Sequence, residues 1–588
     1  MIPVRDYMKT RVSNGMKERV LPAAISVFFG FLAAGLFYTQ VLRYSYYSEL
    51  SKNNSIRIIP IEAPRGSIFD RSGALLVSSR LSFDVALVYQ ELRDRRKVAR
   101  LLKDELGMSG SRIASSFDKA AAKPYAPVTV AEDVDKEKAI AIEEAGIDAG
   151  GIVVETRSKR NYITASAGSH VFGYLGEVAE DELELLKCYG YRMKDLVGRD
   201  GLEKYYDTYL KGIDGGTQVE VDNRGRHMRI LGLKEPSPGN DLYLAIDLSL
   251  QLACDRLLGG HKGAIIVMDP RTGEVLALAS HPAFDPNLFV RPDTAGERLR
   301  LLKDRSGRPM SNKAISGLYP PGSVFKVVTA SAALETKRVG ANTRFFCGGS
   351  YRLGTASFAC WKEGGHGSQN IREGLMNSCN VLFYQVGRLV GADQLEAFAK
   401  IFGFGKPSGI DLPDEVKGVV PGRAWKRLYR SDNWYEGETL NYAIGQGYLL
   451  VTPIQILDMM AVIANRGMLG RPYVVKKIGN NPVSIQKARH AGIRPETIEK
   501  VRQGLLDVVN GEHGTGKRAR IEGVLVAGKT GTAENPQGPT HAWFAGFAPF
   551  DDPKICLVVF LEHGGKGGLE PADIARGIFE EARKRGYL

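Results

Sequence analysis

Ser323 stands three residues before Lys326 in YPPGSVFK (319–326), directly after two prolines and a glycine and directly before VVTASAALE. Proline and glycine break regular structure, and the pattern that follows is helical. A serine at a helix start ordinarily caps it, and for an isolated S-x-x-K that reading is sufficient. The same spacing also serves catalysis. Serine and lysine one turn apart share a helix face, the helix N-terminus offers positive potential and free N–H groups, and a lysine of lowered pKa can deprotonate the hydroxyl. Two further stretches favour chemistry. NSCN supplies Ser378, Cys379 and Asn380 ahead of the helical VLFYQVGRLVG, and VAGKTGTAE supplies Lys529, Thr530, Gly531 and Thr532 after an apolar run. S-x-N and K-T-G each arise often by chance. S-x-x-K, S-x-N and K-T-G in that order form a set that works together in serine acyl transfer.

These residues need a frame. LYLAIDLSLQLACDRLL reads as a strand and a helix, and GAIIVMDPRTGEVLALASHP as a hairpin turning at DPRTGE. AWFAGFAPF and KICLVVFLEHG read as two more strands, and EPADIARGIFEEARKRGYL as a closing amphipathic helix. Strands at both ends of the module with helices between them predict an antiparallel sheet covered by helices. Residues 55–230 mix helical and strand patterns into an α+β module without evident chemistry. The chain is thus expected to be α+β, with a pedestal at 55–230 and a catalytic domain at 240–588.

Val20–Leu42 carries no charge over 23 residues. At 1.5 Å per residue it spans roughly 34 Å, enough to cross a bilayer, and it is longer than the apolar core of a signal peptide. Arg5, Lys9, Arg11, Lys17 and Arg19 precede it and only Arg43 follows closely. The excess of basic residues before the segment predicts a cytoplasmic tail at 1–19, a single transmembrane helix at 20–42 and an exported remainder. The net charge of +13 suits an anionic surface such as a membrane or wall polymer. Nucleic acid is not expected, because no basic helix, zinc-finger spacing or basic stretch interleaved with aromatics is present. Six cysteines in 588 residues do not make a disulfide scaffold.

The chain resembles the class B penicillin-binding proteins, the monofunctional D,D-transpeptidases of bacterial cell-wall synthesis. The resemblance runs over nearly its whole length. It rests on the anchor, on PRGSIFDRSG (64–73), GRDGLEKYYDTYLKG (198–212) and GAIIVMDPRTGEVLALASHPAFDPN (263–287), and on AIGQG (443–447), GTG (514–516) and WFAGFAP beside the three motifs. It implies that Ser323 attacks the penultimate D-Ala of a stem peptide with Lys326 as base. Ser378 would pass a proton to the leaving amine, and Asn380 would bind the substrate amide. Lys529, Thr530 and Thr532 would hold its carboxylate around Gly531, and the N–H groups of Ser323 and Thr532 would form the oxyanion hole. β-Lactams would acylate Ser323. WKEGGHG (361–367) resembles the elongation-type branch, which implies a role in cell shape, a RodA-type polymerase and MreC as partners, and glycan polymerised elsewhere.

Cys347, Cys360, His366 and Cys379 are separated by 12, 5 and 12 residues. Some members of the elongation-type branch bind a metal at matching positions, and three cysteines with one histidine are a good structural zinc set. A Cys347–Cys360 disulfide is the rival, and zinc is the expectation. Cys188, Cys254 and Cys556 are read as core residues. His513 and His541 flank the K-T-G element, where a lysine-based site leaves no need for a histidine base, and Glu534 is read as solvated. A division-type transpeptidase, a D,D-carboxypeptidase, a β-lactamase, a β-lactam-sensing receptor and a silent scaffold are the competing functions. A receptor would need a cytoplasmic effector larger than about nineteen residues.

Overall fold

The uncharged run Val20–Leu42 is helical throughout in the computed structural model, which describes residues 14–221, 227–536 and 538–588. Helix α1 (Asn14–Phe37) passes through one π-turn, Tyr38–Leu42, into α2 (Tyr44–Ser55). None of the apolar run is buried in the protein, so the apolar surface of about six turns is left for another solvent. The basic residues at 5, 9 and 11 lie outside the described residues, as do residues 222–226.

Beyond α2 the chain leaves as the strand Ile56–Ile61, which pairs antiparallel with Gly215–Val221; that strand pairs in turn with His227–Lys234. A second sheet is built on the long strand Leu75–Leu87, flanked antiparallel by Val128–Val134 and Ile152–Tyr162. Helices Arg95–Asp104, Gly110–Ala122 and Lys136–Ala149 bury Val98, Leu102, Ile113, Phe117 and Ile142 against it. This sheet does not stop at the sequence boundary near 230–240. Through Ile68–Phe69 it takes in Leu242–Leu244, and then Val475–Ile478 from far down the chain. The two modules therefore share backbone hydrogen bonds.

Their junction also holds a buried ion cluster. Glu203, fully buried, accepts from Arg160 at 2.6 Å and from Arg65 at 2.8 Å, and Arg65 also reaches Asp207 at 3.0 Å. Both arginines keep the Glu203 carboxyl below its ordinary value despite burial. Arg65 comes from the PRGSIFDRSG block, Glu203 and Asp207 from the GRDGLEKYYDTYLKG block, and Arg160 from the strand Ile152–Tyr162, so the cluster joins the two blocks. Tyr206 donates to Asp411 at 2.9 Å, and Asp411 accepts from Val475 N–H at 2.9 Å, so the cluster is tied to the C-terminal module.

The catalytic module is built on five antiparallel strands: β1 (Gly263–Met268), β2 (Val275–His281), β3 (Ala527–Ala533), β4 (His541–Ala548) and β5 (Ile555–Leu561). Their spatial order is β2-β1-β5-β4-β3, which leaves β3 at one edge. Both faces are covered, so the strands read as continuous apolar runs. In β5 the alternation is still visible. Ile555, Leu557, Val559 and Leu561 face helices α3 (Leu248–Leu258) and α9 (Glu570–Lys584), while Cys556, Val558 and Phe560 join the core on the other face. That second core contains α4 (Lys326–Glu335), α5 (Ile371–Met376), α6 (Asn380–Val390), α7 (Pro453–Ala464) and α8 (Pro495–Asn510). Every residue of α7 is buried, as expected of a helix apolar on all sides. Each of its fully buried Ile, Leu and Met side chains contributes about 1.5–3 kcal/mol of burial. Cys254 and Cys556 are core residues, but Cys188 is not. It is exposed on the 3₁₀ turn Lys187–Tyr189, in a segment whose own core is only Val178, Tyr191 and Val197.

Candidate active site

Ser323 lies on a single 3₁₀ turn, Gly322–Phe325, that runs directly into α4. The capping position of this turn is Pro321 and no side chain caps it, so Ser323 is not there as a helix cap. The turn is pressed against edge strand β3. A Cβ on Gly322, whose φ is +55°, would lie 2.5 Å from the Thr532 carbonyl oxygen. One on Gly531 would lie 2.7 Å from Val324 Cγ2 and 3.0 Å from both the Pro321 oxygen and Trp543 Cβ. The glycine of K-T-G is therefore required by close approach: it lets the nucleophile turn and the binding strand touch.

Ser378 has a left-handed backbone, φ +52°, which costs a non-glycine residue about 1–3 kcal/mol. Its carbonyl oxygen accepts from Lys326 Nζ at 2.8 Å and from the Trp361 indole N–H at 3.1 Å. The next residue, Cys379, caps α6, its Sγ accepting from Leu382 N–H at 3.4 Å. Asn380 then opens α6 with Oδ1 accepting from Lys326 Nζ at 2.7 Å. The Ser378 hydroxyl sits between the two lysines, 2.9 Å from Lys529 Nζ and 3.4 Å from Lys326 Nζ. Lys529 also donates to Thr530 O at 3.0 Å.

Both lysines are fully buried. Burial pulls Lys326 down to about 7, against a smaller opposing pull from Cys379 and Cys360. Burial, and then the charge on Lys326, hold Lys529 well below the usual lysine range. A neutral amine has two N–H donors and one lone pair. The two short contacts of Lys326, to Ser378 O and Asn380 Oδ1, occupy both donors. The Ser323 hydroxyl makes no hydrogen bond among the described residues, so the fixed partners of Lys326 come from the S-x-N segment.

Thr530 is nearly buried and Thr532 exposed along β3. Thr530 Oγ1 lies 2.9 Å from Thr515 Oγ1, and Thr532 Oγ1 accepts from Gly567 N–H at 3.3 Å. Thr515 thus shares a hydrogen bond with the Thr530 hydroxyl but has no role in the sequence reading. Its signal is the GTG block, visible as a repeat of the K-T-G chemistry but lost without its partner. Trp361, which holds the Ser378 carbonyl, was visible only as part of WKEGGHG. His513 and Glu534 are exposed, as the solvated reading of Glu534 expects, and His541 is buried at the start of β4.

The four metal-ligand candidates converge. The Sγ atoms of Cys347, Cys360 and Cys379 and a ring nitrogen of His366 all lie within 4.8 Å of one another. His366 Nδ1 is 3.7 Å from Cys347 Sγ and 3.5 Å from Cys360 Sγ. Tetrahedral zinc with Zn–S near 2.3 Å would place its sulfurs about 3.8 Å apart, so the spacing, the donor set and the single imidazole fit that ion. All four residues have free side chains, with no disulfide among them. His366 Nε2 is buried without a hydrogen-bond partner among the described residues, and the Trp361 ring packs edge-to-face on the imidazole at 5.1 Å.

Residues 263–580 match the family described as the penicillin binding protein transpeptidase domain, and residues 60–244 match the penicillin-binding protein dimerisation domain. The chain is 33% identical over 578 residues to the peptidoglycan D,D-transpeptidase MrdA of Acinetobacter baumannii, covering 93% of this chain and 84% of that one. Among solved structures it is similar to penicillin-binding protein 2 of Helicobacter pylori in complex with MreC (28% identity, TM-score 0.80, 91% of this chain and 100% of that one). It is also similar to a chain of a peptidoglycan synthase complex described as coordinating polymerization and crosslinking (32% identity, TM-score 0.75, 96% and 98%).

Proposed function

The chain belongs to the penicillin-binding transpeptidase family, and on that premise we propose how its residues divide the reaction. It is an elongation-type peptidoglycan D,D-transpeptidase. Ser323 Oγ attacks the carbonyl carbon of the penultimate D-Ala of a stem peptide while Lys326 Nζ takes the hydroxyl proton. The N–H groups of Ser323 and Thr532 receive the oxyanion, a contribution of about 10²–10³ in rate per donor. The C–N bond then breaks, and the proton passes from Lys326 through the Ser378 hydroxyl to the departing D-Ala amine. A second stem peptide's amine attacks the ester, returns its proton along the same path and frees Ser323. Asn380 orients the donor amide; Lys529, Thr530 and Thr532 face its carboxylate across Gly531. A β-lactam opens at Ser323 by the same attack, but its amine stays tethered.

One observation carries this reading. A buried lysine held near pH 7 has both amine hydrogens committed to the S-x-N segment, which leaves its lone pair as the group's free valence. Cys347, Cys360, His366 and Cys379 would hold a structural zinc. With four protein ligands it leaves no open position for water; its effect is to tether the loop of Ser378 and Asn380 to the WKEGGHG segment.

The single N-terminal apolar helix fits a single-pass protein of the inner membrane. The basic tail supports a cytoplasmic N-terminus and a catalytic domain on the other side of the membrane. The assemblies of its relatives make an MreC-type scaffold and a RodA-type polymerase its expected partners. Fluorescent penicillin tests the assignment. The wild type should label stoichiometrically and lose label slowly, and Ser323→Ala should not label at an unchanged melting temperature. Rapid loss of label would make the protein a β-lactamase, and labelling of Ser323→Ala would remove Ser323 as nucleophile.

A further inference from the structure

Helix Glu436–Ala443 and the AIGQG loop that follows it enclose a cavity of about 240 Å³. None of the acyl-transfer residues and none of the cysteine cluster line it. Three of its walls are aromatic: Trp434, Tyr442 and Tyr448. The Trp434 indole N–H donates to Thr439 Oγ1 at 2.8 Å, and its ring packs edge-to-face with Tyr442 at 6.1 Å, so the ring is fixed. Tyr442 is 1% exposed, and its hydroxyl is buried without a hydrogen-bond partner among the described residues. Tyr448 packs on Trp425 at 5.5 Å.

The polar lining is Glu438, Asn441 and Gln446. Glu438 is already paired, accepting from Lys426 Nζ at 2.6 Å and from Tyr435 N–H at 2.8 Å. The side-chain amides of Asn441 and Gln446 make no hydrogen bond among the described residues. Each brings two N–H donors and an acceptor oxygen.

This lining selects by charge. No lysine, arginine or histidine borders the cavity, so an anion finds no counter-charge. A cation is refused as well. Lys426 neutralises Glu438, and Lys426 Nζ and the Arg430 guanidinium already lie 6.0 and 5.5 Å from the Tyr448 ring. A wholly apolar group would leave both amides unpaired. What fits is a neutral group that is apolar on its faces and rich in hydrogen bonds at its rim. A pyranose sugar is such a group: its C–H faces lie on aromatic rings, and its hydroxyl and acetamido groups pair with the amides. The volume equals about eight waters at ~30 Å³ each, which gives room for one sugar ring and not for a chain.

The cavity backs on the nucleophile turn. Gly322 N–H donates to Gly445 O at 2.9 Å, and a Cβ on Gly445 would lie 2.1 Å from Gly322 O. The Tyr442 ring stacks on Phe325, two residues after Ser323, at 5.3 Å and 16°.

We propose that this cavity is a glycan subsite that takes one N-acetylated hexosamine of the strand carrying the stem peptides. Trp434 and Tyr448 receive the faces of the sugar; Asn441 and Gln446 pair with its acetamido group and a hydroxyl. The sugar chemistry follows from the lining alone, and its source in peptidoglycan rests on the transpeptidase reading.

The test uses the detergent-solubilised full chain, glycan strands freed of their stem peptides by an amidase, and maltotetraose, which has no acetamido group. Titration calorimetry gives the dissociation constants. The wild type should bind the peptide-free strands about tenfold more tightly than maltotetraose, the scale of one or two hydrogen bonds. Trp434→Ala and, separately, Asn441→Ala should each weaken strand binding about tenfold. Melting temperatures check that each variant folds, and Asn441→Ala decides the matter if the tryptophan variant does not. Equal affinity for strands and maltotetraose, or a strand affinity that survives Asn441→Ala, overturns the proposal. A wild type that labels with penicillin but binds no strand overturns it and leaves the acyl-transfer reading standing. A wild type that binds strands but does not label overturns that reading and leaves the sugar site.

Discussion

Replacing Gly531 by alanine perturbs the one contact that joins the nucleophile turn to the binding strand. The new Cβ would start 2.7 Å from Val324 Cγ2 and 3.0 Å from both the Pro321 oxygen and Trp543 Cβ, where ordinary contact begins at 3.4 Å. Trp543 is fully buried on β4 and Val324 fully buried beneath the turn, so neither side is a flexible chain end. Relief therefore requires the turn and β3 to separate by about 0.7 Å, the difference between 2.7 and 3.4 Å. Overpacking of this kind costs about 1–3 kcal/mol. The larger effect is on rate. A misplacement of about 1 Å in a reacting pair costs about 10²-fold, so a shift of this size should slow penicillin acylation by about 10- to 50-fold. Ser323 and Thr532 would move apart together with their N–H groups. The assay is the second-order acylation rate with a fluorescent penicillin, read beside the melting temperature. Gly260→Ala, where an added Cβ meets nothing within 4 Å, is the control. Acylation of Gly531→Ala within twofold of the wild type would refute the reasoning that close approach fixes the oxyanion site.

Three further outcomes are expected. Acylation should rise with pH through about 7, by about tenfold from pH 6 to pH 8, because burial lowers Lys326 from its ordinary value and only its neutral form accepts the Ser323 proton; a flat profile over that range would exclude Lys326 as base. Cys360→Ser should lower zinc content from about one per chain, together with the melting temperature and the acylation rate, and a wild type purified without chelator that contains no zinc contradicts the metal site. Glu203→Gln leaves Arg160 and Arg65 buried without their shared anion, a loss of about 3–5 kcal/mol. Its denaturation midpoint should fall without a change in penicillin stoichiometry for the fraction that remains folded.

The apolar helix and the convergence of the three motifs were legible because each has a local signature: 23 residues without charge, and three short motifs in a fixed order. The sheet was legible from runs such as KICLVVFLEHG. What the chain does with those residues was less visible. S-x-x-K spacing suggests a serine–lysine pair, yet the fixed partners of Lys326 are Ser378 and Asn380, more than fifty residues away. The left-handed backbone of Ser378 has no signal in its residue type, since glycine or asparagine is the usual occupant. Residues 475–478 were not read as an element from the sequence, and only the pairing of Val475–Ile478 with Leu242–Leu244 reveals the shared sheet. Cys188 was misread because a cysteine usually packs inside, and here the surrounding segment has too small a core to cover it.

Reconstituted cross-linking tests the central claim most directly. The full chain is supplied with polymerised glycan bearing pentapeptide stems, and released D-Ala and cross-linked stems are counted by mass spectrometry. The account predicts one D-Ala released per cross-link, an acyl-enzyme mapped to Ser323, and loss of both in Ser323→Ala. D-Ala released without cross-links, from an enzyme that still forms the Ser323 ester, would make the acceptor water and contradict the transpeptidase.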